Sequence, residues 1–507
     1  TLPSSIEALW SDRLDGCLAG LDDGAMEAIR VGAALGEVVD QADWRAVCGA
    51  LEIEIPGVLL QRMARAGLIE IQEATWTFTH GLLTRAIAVN AGERWGAINL
   101  ACANMLADHP SGPGLSARIG RHLLAARETE KALSYLLQGA IECWTTGDLH
   151  ESLNLLDANE AVLQELEIPA SDSRWGELWI ERVLVEYNLQ RFDLALPIAV
   201  RVCDSALQHD WADLQARAFT CRGMLSTENN EYSEADAMFA RAASLVAPEQ
   251  EKEKANIQRY WGLMLRRMGR GQESLEKLED AAETYRRLNL LQNLAKTLFN
   301  QAELQLVLLN DKQKALALLD ESRDLMTSLQ LSMGIADCLN GIAEIHRSTG
   351  SLAEAEEAYS ASEVAFRRAG VDTVIVPMLN RGLLQLERGH FDSAAVLLKD
   401  AREKIDYGSW GGLMPFVNAM LLTVASAEKA WGDWDEVYQA LRESLERTPM
   451  VERDLALPLE WAGDLAHQAG EHDRAFQAWT LAKAQWVSLD DPTAVERVDQ
   501  QLNPEES

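Results

Sequence analysis

Residues 350–370 read GSLAEAEEAYSASEVAFRRAG, and a single helical face accounts for their small and apolar positions. Ala355, Ala358, Tyr359, Ser362, Ala365 and Phe366 follow the three-to-four residue step of an amphipathic α-helix. Gly350, just ahead, tolerates the left-handed backbone that ends a helix. Upstream, Ile335, Leu339, Ile342, Ala343 and His346 keep the same step. Two helices about a tight turn make a hairpin. Helices of about 15 residues are roughly 22 Å long and too short to hold alone in water. Such hairpins gain their stability by stacking on one another.

The pattern recurs. A turn residue followed five positions later by a small one appears as Arg127/Ala132, Gly147/Ser152, Gln190/Ala195, Asn230/Ala235, Gly269/Ser274, Asn310/Ala315, Gly350/Ala355, Gly389/Ala394, Gly432/Val437 and Gly470/Ala475. Successive turn residues lie 20, 43, 40, 39, 41, 40, 39, 43 and 38 positions apart, a period near 40. The short first interval implies that the helix around Ala132–Trp144 serves two adjacent hairpins.

Composition narrows the partners. The chain has 507 residues with 46 Lys+Arg against 79 Asp+Glu, a formal net charge of −33. That balance disfavours nucleic acid, where cationic side chains must replace phosphate counterions, and anionic membrane surfaces for the same reason. Seven dispersed cysteines without a CxxC pair read as reduced core thiols of a cytoplasmic protein. No apolar run approaches the roughly 20 residues of a spanning helix, and no basic, apolar leader is present. The first residue is Thr1, not Met, so the chain reads as a piece of something longer.

Gly389-x-Phe391-x-x-Ala394 and Asn230-x-Tyr232-x-x-Ala235 resemble the turn of tetratricopeptide repeats. The resemblance runs from about Leu115 to Asp490 and implies an all-α fold, a tetratricopeptide-repeat superhelix or α-solenoid. The long period is similar to that of the sensor regions of bacterial signalling ATPases and of kinesin light chains. Arrays of this kind hold protein or peptide ligands, so the fold alone names no single function.

Residues 1–90 do not keep the period. Gly24–Leu35, Gln41–Leu51 and Pro56–Ala66 read as short amphipathic helices. Leu68–Ile71 and Thr75–Phe78 read as two strands about a Glu73-Ala74 turn, with Trp76 and Phe78 on one face. Three helices and a hairpin follow the winged-helix layout, so a DNA-binding regulator is one reading. The would-be recognition helix offers only Arg62 and Arg65 on an acidic chain, which counts against it. Leu2-Pro3, Ile6, Leu9, Arg13, Leu14, Ala34-Leu35-Gly36, Leu59-Leu60, Ala66-Gly67-Leu68-Ile69 and Phe78-x-His80-x-Leu82-Leu83-x-Arg85 follow in an order of their own. They resemble the region after the nucleotide-binding domain in signal-transduction ATPases with numerous domains, a class that includes the bacterial maltose-regulon activator and kinase-fused ATPases. The resemblance implies ATP or ADP in the full-length protein and His80 against an ADP phosphate. Gly81 stands where that family's motif carries Asp. A second reading makes His80 a residue that caps its own turn.

The expected organisation is a connecting arm (1–22), a winged-helix domain (23–90), a linker helix and loop (91–114), the repeat array (115–490) and an acidic tail (491–507). No phosphate-binding Gly-x-x-x-x-Gly-Lys-Ser/Thr, no Gly-x-Ser-x-Gly elbow and no metal-ligand spacing occurs, so neither an enzyme nor a resident cofactor or metal is expected in this chain. His467 and His472, five apart across a turn, lack the spacing of a helical zinc pair. Binding is the better prospect. Asn300, Asn340 and Asn380 recur every 40 residues, and the resemblance to long-period repeats implies that such an asparagine lies on the inner helix of each hairpin and grips a ligand backbone, which suits an amide because it both donates and accepts. The same amides could instead tie neighbouring repeats together. Arg259, Tyr260 and Trp261 stand one repeat earlier, offering an aromatic surface and a carboxylate partner. Trp410 is the candidate exposed anchor among the C-terminal tryptophans, which otherwise read as filling between helices. The function expected is that of a non-catalytic sensor region binding a protein, peptide or small ligand on the repeat superhelix and controlling an upstream nucleotide-binding and effector module, with ligand-induced assembly in the full-length protein. The alternative is a constitutive scaffold.

Overall fold

The computed structural model describes residues 13–89, 92, 94–108, 114–370, 374–406 and 411–503. It divides into two compact units, residues 1–264 and 265–507. Unit 1 opens with α1 (Asp23–Leu35), β1 (Val38–Asp40), α2 (Gln41–Ala50), α3 (Leu59–Arg65), β2 (Ile69–Ile71) and β3 (Thr75–Phe78). The three helices and two strands read from the sequence are present. The structure adds β1, and the antiparallel sheet runs β1-β3-β2 with Val39 opposite Trp76 and Ile69 opposite Phe78. Three residues are too few to show a two-residue alternation, so β1 is invisible to a periodicity reading. Asp40 ends it by capping α2, accepting from the Ala42 and Asp43 amides at 2.7 and 3.1 Å.

Trp76 organises this module. Its ring meets Trp44 and Phe78 edge-on at 5.5 and 4.9 Å, and Trp44 Nε1 donates to the Ala28 carbonyl. A side chain at Gly32 would come within 2.3 Å of the Trp76 ring, so α1 can lie there only with glycine. Next come α4 (Gly81–Val89), α5 (Arg94–Asp108) and α6 (Leu115–Ala125). Helix α5 packs on α1, α2 and α6. Buried His122 of α6 meets Asn99 of α5 at 2.8 Å.

The hairpins follow. Unit 1 continues with α7 (Thr129–Thr146), α8 (Leu149–Glu165), α9 (Ser173–Asn188), α10 (Phe192–Gln208), α11 (Ala212–Glu228) and α12 (Tyr232–Leu245), and the unit boundary falls within α13 (Glu251–Arg267). As the spacing implies, α7 packs against both α6 and α8. Unit 2 holds α14 (Gly271–Arg287), α15 (Leu291–Val307), α16 (Lys312–Ser328), α17 (Ser332–Ser348), α18 (Leu352–Arg368), α19 (Ile375–Glu387) and α20 (Phe391–Asp406). It ends with α21 (Met414–Glu428), α22 (Trp431–Arg447), α23 (Arg453–Gln468), α24 (His472–Ser488) and α25 (Pro492–Leu502). Helix α25 packs on α24 and lies within the segment read as an acidic tail.

The predicted turns close as left-handed caps. Gln190, Asn230, Gly350 and Gly470 have φ of 59°, 61°, 83° and 86°. The amide after each bonds back to the last helical turn, as in Ser351 N to His346 O at 2.9 Å. One assignment is corrected. The turn of the α21/α22 hairpin is Lys429 (φ 55°), and Gly432 lies inside α22. The intervals around it become 40 and 41. Trp434, not Val437, then takes the position five residues on, buried with Nε1 on the Ser426 hydroxyl at 3.0 Å. The glycine misleads because a lysine can hold the same backbone. A second family of left-handed turns, Glu167, Asp210, Asn289, Gln330, Gly370 and Asp490, joins one hairpin to the next. Its mostly acidic and amide residues carry no glycine signal. In unit 2 one apolar cluster runs from Ala336 to Val498 and encloses Trp434, Trp479 and Trp486.

Candidate ligand-binding surface

In unit 2 the leading helices of successive hairpins pack side by side, α17 with α19, α19 with α21 and α21 with α23. The apolar side of α17 faces the core, which turns the stripe Asp337, Asn340, Glu344 and Arg347 the other way. The stripe forms a network. Asn380 Nδ2 of α19 donates to Asn340 Oδ1 at 3.1 Å and to Glu344 Oε1 at 3.0 Å. Asn340 Nδ2 approaches the same Glu344 oxygen at 3.5 Å. Burial raises the Glu344 carboxyl above the usual range, and the Arg347 guanidinium opposes that shift.

Arg347 is the centre. It is 12% exposed, donating through Nη1 to Glu387 of α19 and through Nη2 to Asp454 of α23, both at 2.7 Å. One guanidinium thus ties three leading helices across 107 positions of sequence. Fully buried Tyr359 of α18 lies beside it, its phenol pushed up by burial. On the neighbouring stripe Arg381 bridges Glu356 and Glu363 at 2.8 Å each, and Gln385 Nε2 donates to Glu356 at 2.6 Å.

Two groups on this surface stand outside the network. Asn300 of α15 is half-buried and makes no hydrogen bond to the described residues. Asp337 of α17 is half-buried and has neither hydrogen bond nor ion pair among them. Burial first, then the nearby Glu303 charge, pushes the Asp337 carboxyl up to about 7. Glu303 has its own cation, Arg266 Nη1 at 2.6 Å.

The asparagines spaced by 40 therefore fall into two kinds, Asn340 and Asn380 bonded to each other and Asn300 open. The other candidates lie elsewhere. Arg259, Tyr260 and Trp261 belong to unit 1, where the Arg259 guanidinium stacks 4.1 Å from the Tyr260 ring centre. Trp261 stacks on Phe239 and donates Nε1 to Asp236 at 2.9 Å, both on α12. His80 is exposed at the junction of β3 and α4, and its carbonyl accepts from the Leu83 amide at 3.0 Å. Trp410 lies outside the described residues. The turn at Gly470 brings His467 and His472 together, Nδ1 to Nδ1 at 3.3 Å. Among the described residues no group of three or more His, Cys, Asp and Glu is arranged to hold a metal ion, and no helix is long and apolar enough to cross a membrane.

Asp337, Glu344, Arg347, Glu387 and Asp454 were not singled out from the sequence. With 79 acidic residues, no one carboxylate stands out, and Arg347 and Asp454 carry no shared motif. A signal did exist. Positions 337, 340, 344 and 347 keep helical spacing on the side away from the apolar stripe.

The comparisons agree with this architecture. The family model described as tetratricopeptide repeat matches residues 253–328. No curated protein matches the chain. Among solved structures, the chain is similar to a signal transduction ATPase with numerous domains, with a tetratricopeptide repeat sensor, from Pyrococcus horikoshii. The TM-score is 0.54 at 10% identity, over 94% of this chain and 66% of that one, so this chain spans about two thirds of that protein's length. It is also similar to the apo form of RapI, with a TM-score of 0.50 at 12% identity over 71% of this chain and 99% of that one. At such identities the likeness is one of fold, and the fold is the tetratricopeptide type of helical repeat.

Proposed function

We propose that this chain is the sensor region of a signalling ATPase, taking a protein or peptide ligand on the leading helices of its repeats. The observation that carries the reading is the pair left open on that surface, Asn300 and Asp337, beside a network in which the neighbouring amides and carboxylates are tied. An open amide and an unpartnered carboxylate on packed helices are recognition groups, since each leaves a hydrogen-bonding or charge requirement that a ligand can meet. The Pyrococcus protein, whose repeats are described as a sensor, supports the reading by fold.

In the same proposal the module over residues 23–90 is a winged helix that transmits ligand binding to a nucleotide-binding and effector module in a longer cytoplasmic, bacterial protein. The order helix, strand, helix, helix, strand, strand supports it. His80, exposed at the end of β3, is the residue offered to an ADP phosphate, and ligand binding releases the module and permits assembly.

A second reading, a constitutive scaffold, is favoured by the Arg347 bridge, which ties α17, α19 and α23 through side chains of the chain itself. Deleting residues 1–90 from the longer protein separates the two. A switch loses nucleotide-dependent assembly, measured by light scattering in ADP and in a non-hydrolysable ATP analogue. A scaffold scatters identically with and without the deletion. Equal scattering of the intact protein in both nucleotides would end the switch reading.

A further inference from the structure

Among the described residues, every other half-buried or buried carboxylate on the leading helices α15, α17, α19, α21 and α23 has a hydrogen-bond or ion-pair partner. Glu303 has Arg266, Glu344 has Asn380, Glu387 and Asp454 share Arg347, Glu460 has Arg497, and Asp464 accepts from Trp479. Asp337 has none. A carboxylate taken largely out of water without a counter-charge costs the fold free energy, and a chain with 46 basic side chains has left this one unmatched. The neighbouring charge makes matters worse, because Glu303 repels it. Asn300 lies three residues before Glu303 on α15, hence on the same stripe of that helix, and its amide is also open.

We infer that the ligand is an extended peptide carrying an arginine or lysine, whose cation sits on Asp337 while Asn300 binds the adjacent peptide group. The inference rests on the sensor reading above and deepens it by naming the ligand's chemistry. An ammonium or guanidinium supplies the missing counter-charge to Asp337 and relieves its repulsion from Glu303. The Asn300 side chain donates to a backbone carbonyl and accepts from a backbone N–H, which suits a peptide of any sequence beside the anchoring residue. A free polyamine would satisfy the carboxylate and leave the amide unused, so the peptide accounts for both groups. The net charge of −33 draws such a ligand in from a distance.

The test uses fluorescein-labelled hexapeptide pools, identical except for a central Arg, Lys, norleucine or Glu, titrated with the chain and followed by anisotropy. The Arg and Lys pools should bind at least about tenfold more tightly than the norleucine pool. Asp337→Asn should abolish that preference, and Asn300→Ala should weaken all pools alike. Asp213→Asn, an exposed acid on α11 of unit 1, removes the same charge and should leave the preference intact. Circular dichroism confirms that each variant folds. Saturable binding without a cation preference, or a preference that survives Asp337→Asn, overturns the cation seat while leaving the peptide reading standing. Failure of every pool to saturate overturns both.

Discussion

At the scale of single residues, burial decides what an ionisable group contributes. His122 is packed between α5 and α6 with Nδ1 on Asn99, and burial, aided by Arg118, lowers its pKa to about 4. In the unfolded chain it titrates near the usual 6.5. Between those values the unfolded state takes up a proton that the folded state refuses. The stability this neutral imidazole contributes is therefore complete above pH 6.5 and is lost as the pH falls towards 4, up to about 3 kcal/mol. Urea denaturation at pH 7.5 and pH 4.5 should show a steeper acid loss for the native chain than for His122→Gln. Equal slopes would mean that the imidazole is not buried in the folded protein. The sequence lists His122 among nine histidines without distinguishing it; only its place under α5 sets it apart.

At the scale of the element, close approach of two helices depends on what is missing. Helices α6 and α7 meet at Gly139, where an added Cβ would lie 2.7 Å from the Ala117 amide nitrogen and 2.8 Å from its Cα. Those are backbone atoms, so a rotamer change cannot relieve the overlap. Gly139→Ala should destabilise unit 1 by about 1–3 kcal/mol despite its gain in helix propensity. A thermal melt that rises instead would place these helices further apart. The same logic runs in reverse at Trp434, a large residue where nine other hairpins carry Ala or Ser. The hairpin signal itself was legible because a left-handed cap is local chemistry. Where lysine or glutamate held that cap, as at Lys429 and Glu167, the letter no longer revealed the backbone.

At the scale of the whole molecule, stability is distributed over nearest neighbours, as in any stack of repeats, except where one side chain reaches further. Arg347 links α17 to α23 past the intervening hairpins. Its loss in Arg347→Ala should cost about 1–3 kcal/mol, discounted because Asp454 is partly exposed. The effect should be spatially selective. Hydrogen exchange should accelerate in α17, α19 and α23 while the module over residues 23–90, in the other unit, keeps its protection. Uniform acceleration across the chain would show that the bridge is not a local tie.

The amino-acid sequence alone determined the helical hairpins, their period near 40, the mixed module at the front and the strongly acidic net charge. Each follows from periodicity, turn chemistry or net charge, which act between residues close in the chain or over the whole surface at once. Only the tertiary structure decided which asparagines are bonded to each other, that Arg347 meets Asp454, and that Asp337 has no partner among the described residues. Those facts depend on which side chains from distant helices converge within hydrogen-bond reach, and on how much water is excluded there. Neither quantity is encoded in the spacing of letters along one helix.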